Sequence, residues 1–440
     1  MSEKRITVDY LARCEGETGL DIVVGADGKV KDAKVVVFEP PRFFEGFLVG
    51  RRYDEVNEIV SRICGICPTP HQLSAVQAIE RAMGVEISEQ TVDLRKLLAL
   101  SQWIQSHALH VYMLAAPDYA GFGSVIPMAG VPELLPVVGR ALKLKRLGND
   151  LTVAVGGREV HPLTVTVGGF TKIPEKAVLE GIKERLIAAK EDAYETVKLA
   201  KVLFDGGLKR GAPNFVRECE HVAINDPNQY AINDGRLVST MGLNVPNWEY
   251  PKVIIEKHVP HSNAKHAIIE GRDSFLVGPL ARFNLNFDQL SADAKAAAKE
   301  IGFAPGNFNP YANIMARGVE LVHSIDESIE IINKLQYKHE VPSYEVKAGE
   351  SYAVTEAARG ICCHGYRVDK YGIVEKGDIV APTARNVYNM EKDFYELVPM
   401  LLNEPDDEIT LKCEMLIRSY DPCYSCATHA IKVNLHRLSE

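Results

Sequence analysis

No stretch of this chain approaches the ~18 consecutive apolar residues that suggest a membrane-crossing helix, so a spanning role finds no support. Basic residues are not in excess: Lys and Arg number 50 against 59 Asp and Glu, a formal net charge of −9. Nucleic-acid binding rests on clustered cations that neutralise phosphates, and this balance argues against it. The opening residues, MSEKRITVDYLARCEG, lack the apolar centre of a secretion signal, so a cytoplasmic, reducing setting is expected. Internal repeats, low-complexity tracts and a clear linker are also missing, and one domain over residues 1–440 is expected. The composition itself, 46% hydrophobic and 25% charged, is that of an ordinary globular protein.

Hydrophobic patterning is mainly helical. Residues 20–39 are the first exception. LDIVV and AKVVVFE are β-branched runs on either side of the turn pair Asp27-Gly28, which predicts a β-hairpin. After Pro70, HQLSAVQAIERAM places apolar residues three and four apart and stops before Gly84, which predicts a helix. Residues 92–116, 174–203 and 315–336 predict longer helices, the first broad in its apolar face and buried. Gly, Pro and Asn are richer over residues 205–260, which predicts loops over the surface, and residues 351–385 predict mixed strand and loop. The fold class expected is mainly α with small β additions (α+β), a helical core with an N-terminal β-hairpin.

The nine cysteines are Cys14, Cys64, Cys67, Cys219, Cys362, Cys363, Cys413, Cys423 and Cys426. The count is odd, and a chain this long builds a core without staples. Metal ligands, catalytic thiols or small core residues are therefore favoured over disulfides. Two Cys-x-x-Cys pairs stand out: Cys64-Gly-Ile-Cys67 and Cys423-Tyr-Ser-Cys426. Two intervening residues let both sulfurs turn towards one metal. Gly65 would let the backbone fold closely around it. Cys67 lies just before a predicted helix, whose positive end would favour its thiolate. A single pair could equally be redox-active, structural or accidental. Two pairs offer four thiolates, which suit a soft or borderline metal. The plain alternative is a structural zinc site held by four cysteines. Zinc ribbons bring their pairs within a few tens of residues, whereas these stand near opposite ends of the chain, so the site would close almost the whole fold.

In these residues the chain resembles the large subunits of the nickel–iron hydrogenases. That family carries an N-terminal Arg-x-Cys-Gly-x-Cys-x-x-x-His and a C-terminal Asp-Pro-Cys-x-x-Cys-x-x-His. Both are complete here, from Arg62 to His71 and from Asp421 to His429, and other similar segments lie between them. The resemblance implies reversible cleavage of dihydrogen to two protons and two electrons. It implies that Cys64, Cys67, Cys423 and Cys426 hold nickel, and that Cys67 and Cys426 also bridge to an iron carrying carbon monoxide and cyanide. Cys64 and Cys423 would be terminal on nickel, and a terminal thiolate such as Cys423 can take up a proton.

Other roles follow from the same resemblance. His71 would hydrogen-bond a bridging sulfur. Arg359, in Thr-Glu-Ala-Ala-Arg-Gly, matches the arginine that overhangs the metals and whose cationic fork can bind a cyanide nitrogen. Ala358 stands where the family usually has proline, which implies a looser loop. Asp118 resembles an acidic partner of that arginine, and Asp421 is the other acidic neighbour. Thr383 resembles the hydroxyl that binds the second cyanide, and Arg385 stands where some relatives have tryptophan. Glu15, in Arg13-Cys-Glu-Gly16, matches a proton relay. Glu45, in Pro41-Arg-Phe-Phe-Glu45, matches a carboxylate on magnesium or a similar ion, with His429 and a backbone carbonyl near Ile379 as companions. Residues 430–440 resemble a tail that a protease removes in many relatives.

The remaining five cysteines lack ligand spacing and read as small, mostly buried residues. Iron–sulfur clusters would therefore sit on a separate small subunit. The likeness to soluble multisubunit, sulfhydrogenase-type members implies further electron-transfer subunits linked to NAD(P), flavin, deazaflavin or heterodisulfide chemistry. A respiratory complex I subunit shares the fold but lacks the nickel cysteines, all four of which are present here.

Overall fold

The computed structural model describes residues 3–428; His429 and the tail 430–440 lie outside the described residues. Four long helices, Glu89–Leu109, Leu135–Gly156, Lys176–Asp205 and Asn313–Lys334, pack against one another and form the main core. Apolar residues three and four apart produce this packing: Leu179, Ile182, Leu186, Ala189 and Ala193 line one buried stripe of the Lys176–Asp205 helix. The expected helices over 174–203 and 315–336 are thus observed within a few residues.

The helix Pro68–Met83 lies between this bundle and an antiparallel sheet of Gly349–Ala357, Gly360–Val368 and Val374–Val380. It begins at Pro68 rather than after Pro70. Both prolines fall in the first turn, where a backbone N–H has no helical partner to lose. The expected helix over 92–116 is broken in kind. After Leu109 the residues His110–Ala115 form a π-helical turn, and Ala116–Ala120 resume the α form. Pro117 has no N–H to offer the Met113 carbonyl four residues back, and Arg13 Nη1 caps the next carbonyl, that of Leu114, at 2.5 Å.

The hairpin expected at 20–39 is formed by Thr18–Val24 and Val30–Val37, turning at Gly28 with a positive φ of 76°. An additional strand, Lys4–Val8, pairs with its outer edge. The sheet packs on the helix Pro382–Leu401 through Val30–Val37.

Residues 205–260 depart from expectation. They are not surface loops alone: Glu220–Asn225 is a buried strand pairing with Phe275–Val277 and Arg236–Ser239. Val222, Ile224, Leu237, Tyr250 and Ile254 form a second hydrophobic core with Val354 and Ile361. A strand buried on both faces shows no alternation, and the Gly, Pro and Asn between such short strands mask them.

Candidate metal centre

Each Cys-x-x-Cys segment opens a helix. Cys67 is the N-cap of Pro68–Met83, and Cys423 the N-cap of the short turn Tyr424–Ala427. Asp421, at the end of the helix Asp406–Tyr420, takes a left-handed backbone (φ 55°) that Asp tolerates better than most residues. That bend turns Cys423 back towards the N-terminal pair. Cys64 Sγ stands 3.4 Å from Cys423 Sγ, and Cys67 Sγ 3.6 Å from Cys426 Sγ. All four sulfurs are buried and lie within 4.8 Å of one another.

Local hydrogen bonds favour ionised sulfur here. Cys64 Sγ accepts the backbone N–H groups of Ile66 at 3.3 Å and Cys67 at 3.1 Å. Burial pushes the Cys423 and Cys426 thiols well up. Against its own burial, Cys64 is held well down by hydrogen bonds from Cys423 and Cys426. Four thiolates cannot share so small a dry space without a multivalent cation, and the all-sulfur donor set suits a soft or borderline metal such as nickel. At Gly65 a Cβ would meet no atom among the described residues, so the protein's own packing leaves room there.

Glu15 Oε2 stands 3.0 Å from Cys423 Sγ, and Oε1 accepts the Ser425 hydroxyl. The Glu15 carbonyl accepts Tyr424 N–H at 2.9 Å, so the two segments run side by side. Gly16 permits this approach: its φ is 88°, and a Cβ would lie 2.8 Å from Ser425 N. Arg42 Nη2 donates to the Ile63 carbonyl at 2.6 Å and also to the Ser425 carbonyl, tying together the approaches to both cysteine pairs. Its sequence signal was confined to its place in the Pro41–Glu45 motif.

Arg359 is buried, with Nε on the Asp421 carbonyl at 2.7 Å and Nη2 on Asp421 Oδ1 at 3.0 Å. Its Nη1 is buried with no hydrogen-bond partner among the described residues. Against burial, Asp421 and the thiolates of Cys67, Cys423 and Cys64 raise its pKa, so it is a fixed cation. An orphaned donor beside the sulfurs fits a further acceptor at the metals. The loop before it is not loose: Arg282 donates to the carbonyls of Ala357 at 2.9 Å and Ala358 at 3.1 Å, doing by hydrogen bonds what proline would do by ring closure.

Asp118 is not paired with Arg359. It binds Arg418 Nε at 2.7 Å and Nη2 at 3.1 Å, and also Arg13, joining the N-terminal segment to the helix Asp406–Tyr420. The acid of Arg359 is Asp421. Thr383 Oγ1 accepts Cys423 N–H at 2.8 Å, and buried Arg385 donates to Cys363 Sγ at 2.8 Å. His71 Nδ1 lies 3.0 Å from His364 Nε2 and 3.6 Å from Cys362 Sγ, and burial lowers its pKa to about 4, so the ring is neutral.

Glu45 Oε1 accepts the backbone N–H of Ile379 at 2.7 Å, which brings the carboxylate to the segment expected to share an ion with it. Burial pushes its pKa up to about 7. His429, the third member expected, lies outside the described residues. Cys219, Cys362, Cys363 and Cys413 are buried and Cys14 is half-buried, as small core residues would be.

Comparison with known proteins agrees with this geometry. The nickel-dependent hydrogenase family matches residues 42–128 and 262–429. The alpha subunit of sulfhydrogenase 1 from Pyrococcus furiosus is 35% identical, over 97% of this chain and 98% of that protein. The alpha subunit of sulfhydrogenase 2 from the same organism is 31% identical, over 97% and 100%. An NAD+-reducing nickel–iron hydrogenase in its H2-reduced state superposes with a TM-score of 0.87 at 25% identity, over 97% of this chain and 99% of that one. The nickel–iron–selenium hydrogenase of D. vulgaris Hildenborough has the same fold, with a TM-score of 0.79 at 23% identity over 97% and 100%. With both motifs intact and their four thiols gathered in one place, the chain belongs to the nickel-dependent hydrogenase family as a catalytic large subunit that acts on dihydrogen.

Proposed function

We propose that this subunit moves the proton of dihydrogen cleavage from Cys423 to Glu15 and passes its electrons to a separate iron–sulfur small subunit. The bound nickel–iron centre supplies the heterolytic cleavage of dihydrogen. The observation that carries the proposal is the 3.0 Å separation of Cys423 Sγ and Glu15 Oε2. A proton on Cys423 Sγ lies on a hydrogen bond to that oxygen, within the reach that general acid–base transfer needs. Ser425 holds the carboxylate in place through its N–H at 3.2 Å and its hydroxyl. Glu15 is half-buried, which leaves a way onward to water.

Cys64, Cys67, Cys423 and Cys426 would hold the nickel–iron centre. Arg359 Nη1 and the Thr383 hydroxyl would donate to the cyanide that such a centre carries with carbon monoxide. Asp421 would hold the Arg359 guanidinium, which stays charged, in place over the site. His71 would steady a bridging thiolate as a neutral ring. Glu45 would take part in a magnesium site with a backbone carbonyl near Ile379, and His429 is the third member expected.

Among the described residues, the other five cysteines form no second all-thiol group, which supports an electron route through another chain. The relatives named above include alpha subunits of sulfhydrogenases and an NAD+-reducing enzyme. A multisubunit complex linked to NAD(P), flavin, deazaflavin or heterodisulfide chemistry follows from that company. Nine unpaired cysteines suit a reducing cytoplasm. Glu15→Gln tests the relay. Proton exchange with dihydrogen is expected to fall by roughly a hundredfold or more, while infrared bands of carbon monoxide and cyanide persist. Full turnover in that variant would remove the relay role from Glu15.

A further inference from the structure

Away from the cysteines, two histidines and a glutamate converge where the hairpin Ile254–Val259/Ser262–Ile269 meets the helix Pro382–Leu401 and the strand Val30–Val37. Glu391 Oε1 accepts Val35 N–H at 2.9 Å and lies 2.8 Å from His261 Nε2. Glu391 Oε2 lies 3.5 Å from His266 Nε2, too far for a good hydrogen bond. His266 is only 6% exposed, and its Nε2 has no hydrogen-bond partner among the described residues. Its ring is held flat against Tyr388, with centroids 5.1 Å apart and planes at 21°, which fixes the direction of that nitrogen. The three ligand atoms lie within 4.8 Å of one another.

The charges around the cluster sharpen the case. Glu391 is 5% exposed and would be costly to bury as a lone carboxylate. A cavity of about 460 Å³ opens beside it, lined also by Lys34, Lys392 and Arg217. Each of these cations has its own acid: Lys34 has Asp32, Lys392 has Asp273 at 3.3 Å, and Arg217 has Asp393 at 2.6 Å. None of these pairs neutralises Glu391.

We propose that His261, His266 and Glu391 bind a divalent zinc-type ion, with water from the cavity as the fourth ligand. Two imidazoles and one carboxylate are a zinc donor set, and three protein ligands with one open position give the usual tetrahedral shell. Both histidines would bind as neutral rings through Nε2, and Glu391 would supply the negative charge. The ion would tie the hairpin to the helix whose first turn holds Thr383 against Cys423 N–H. The proposal is independent of the nickel centre, since none of its three ligands touches the cysteines' ligand set.

The test uses the purified hydrogenase complex, washed with chelator and then given Zn2+ alone. An anomalous difference map at the zinc edge is expected to show one peak between His261, His266 and Glu391. Calorimetric titration should show saturable zinc binding and a rise in Tm. His261→Gln, at the more exposed ligand, is expected to weaken that binding more than about tenfold while nickel and iron contents stay at the wild-type level. Glu391→Gln keeps an acceptor for Val35 N–H and provides a second variant with the same expected loss. Absence of the zinc peak, or unchanged zinc affinity in both variants, would overturn the assignment.

Discussion

Two fully buried charged regions lie close together in this molecule and are built on opposite plans. At the cysteine cage, four groups that ionise to the same sign face one another. At the neighbouring cluster, Arg282 is clasped by Glu320 at 2.6 and 2.7 Å and reaches Glu356 at 2.8 Å. Against burial, Arg282 holds the Glu320 carboxyl well below its ordinary range, while burial leaves Glu356 raised. The cluster satisfies itself and works as scaffold: its spare donors fix the carbonyls of Ala357 and Ala358, and so the position of Arg359. The cage cannot satisfy itself and is completed only by metal. Self-sufficiency marks the structural site, and unmet charge marks the functional one.

Breaking the cage should give the largest effect. Cys423→Ser is expected to abolish hydrogen uptake, measured by hydrogen–deuterium exchange, with nickel content falling at the same time. Breaking the cluster should act on stability first. Arg282→Met leaves two carboxylates buried without a cation, and denaturant unfolding should register a loss of about 3–5 kcal/mol. A smaller effect sharpens the contrast by pH. Burial holds His107 and His323 at about 4 and His221 at about 3, against an ordinary 6.5. These rings are neutral in the fold but take up protons in the unfolded chain below pH 6.5. Their contribution is therefore complete above that pH and is lost as pH falls from about 6.5 towards about 4. Tm measured against pH should decline across that window, and replacing His107, whose Nε2 lies 2.9 Å from Glu320, should flatten part of the slope. The smallest effect is expected at Gly65→Ala, within about 0.5 kcal/mol, because the added methyl meets no atom among the described residues.

The cysteine pairs were legible because metal chemistry fixes residue type and short spacing together. Glu15 and Arg359 were legible through their motifs, and the long helices through apolar spacing. What could not be read were long-range partners. Nothing local to Asp118 announces Arg418, 300 positions away, and nothing local to Arg42 announces the Ser425 carbonyl. The second core was hidden because Glu220–Asn225, buried up to its last residue, carries neither the period of a half-exposed strand nor that of a helix. The π turn at His110–Ala115 depends on how Pro117 and Arg13 share the backbone groups around it, which no local pattern encodes.

Nickel-edge X-ray absorption of the purified complex tests the central claim most directly. Nickel with a sulfur shell from four cysteines, lost when Cys67 or Cys426 is replaced, is the predicted result. A protein without nickel, whose four cysteines instead show a zinc–sulfur shell at the zinc edge, would contradict it.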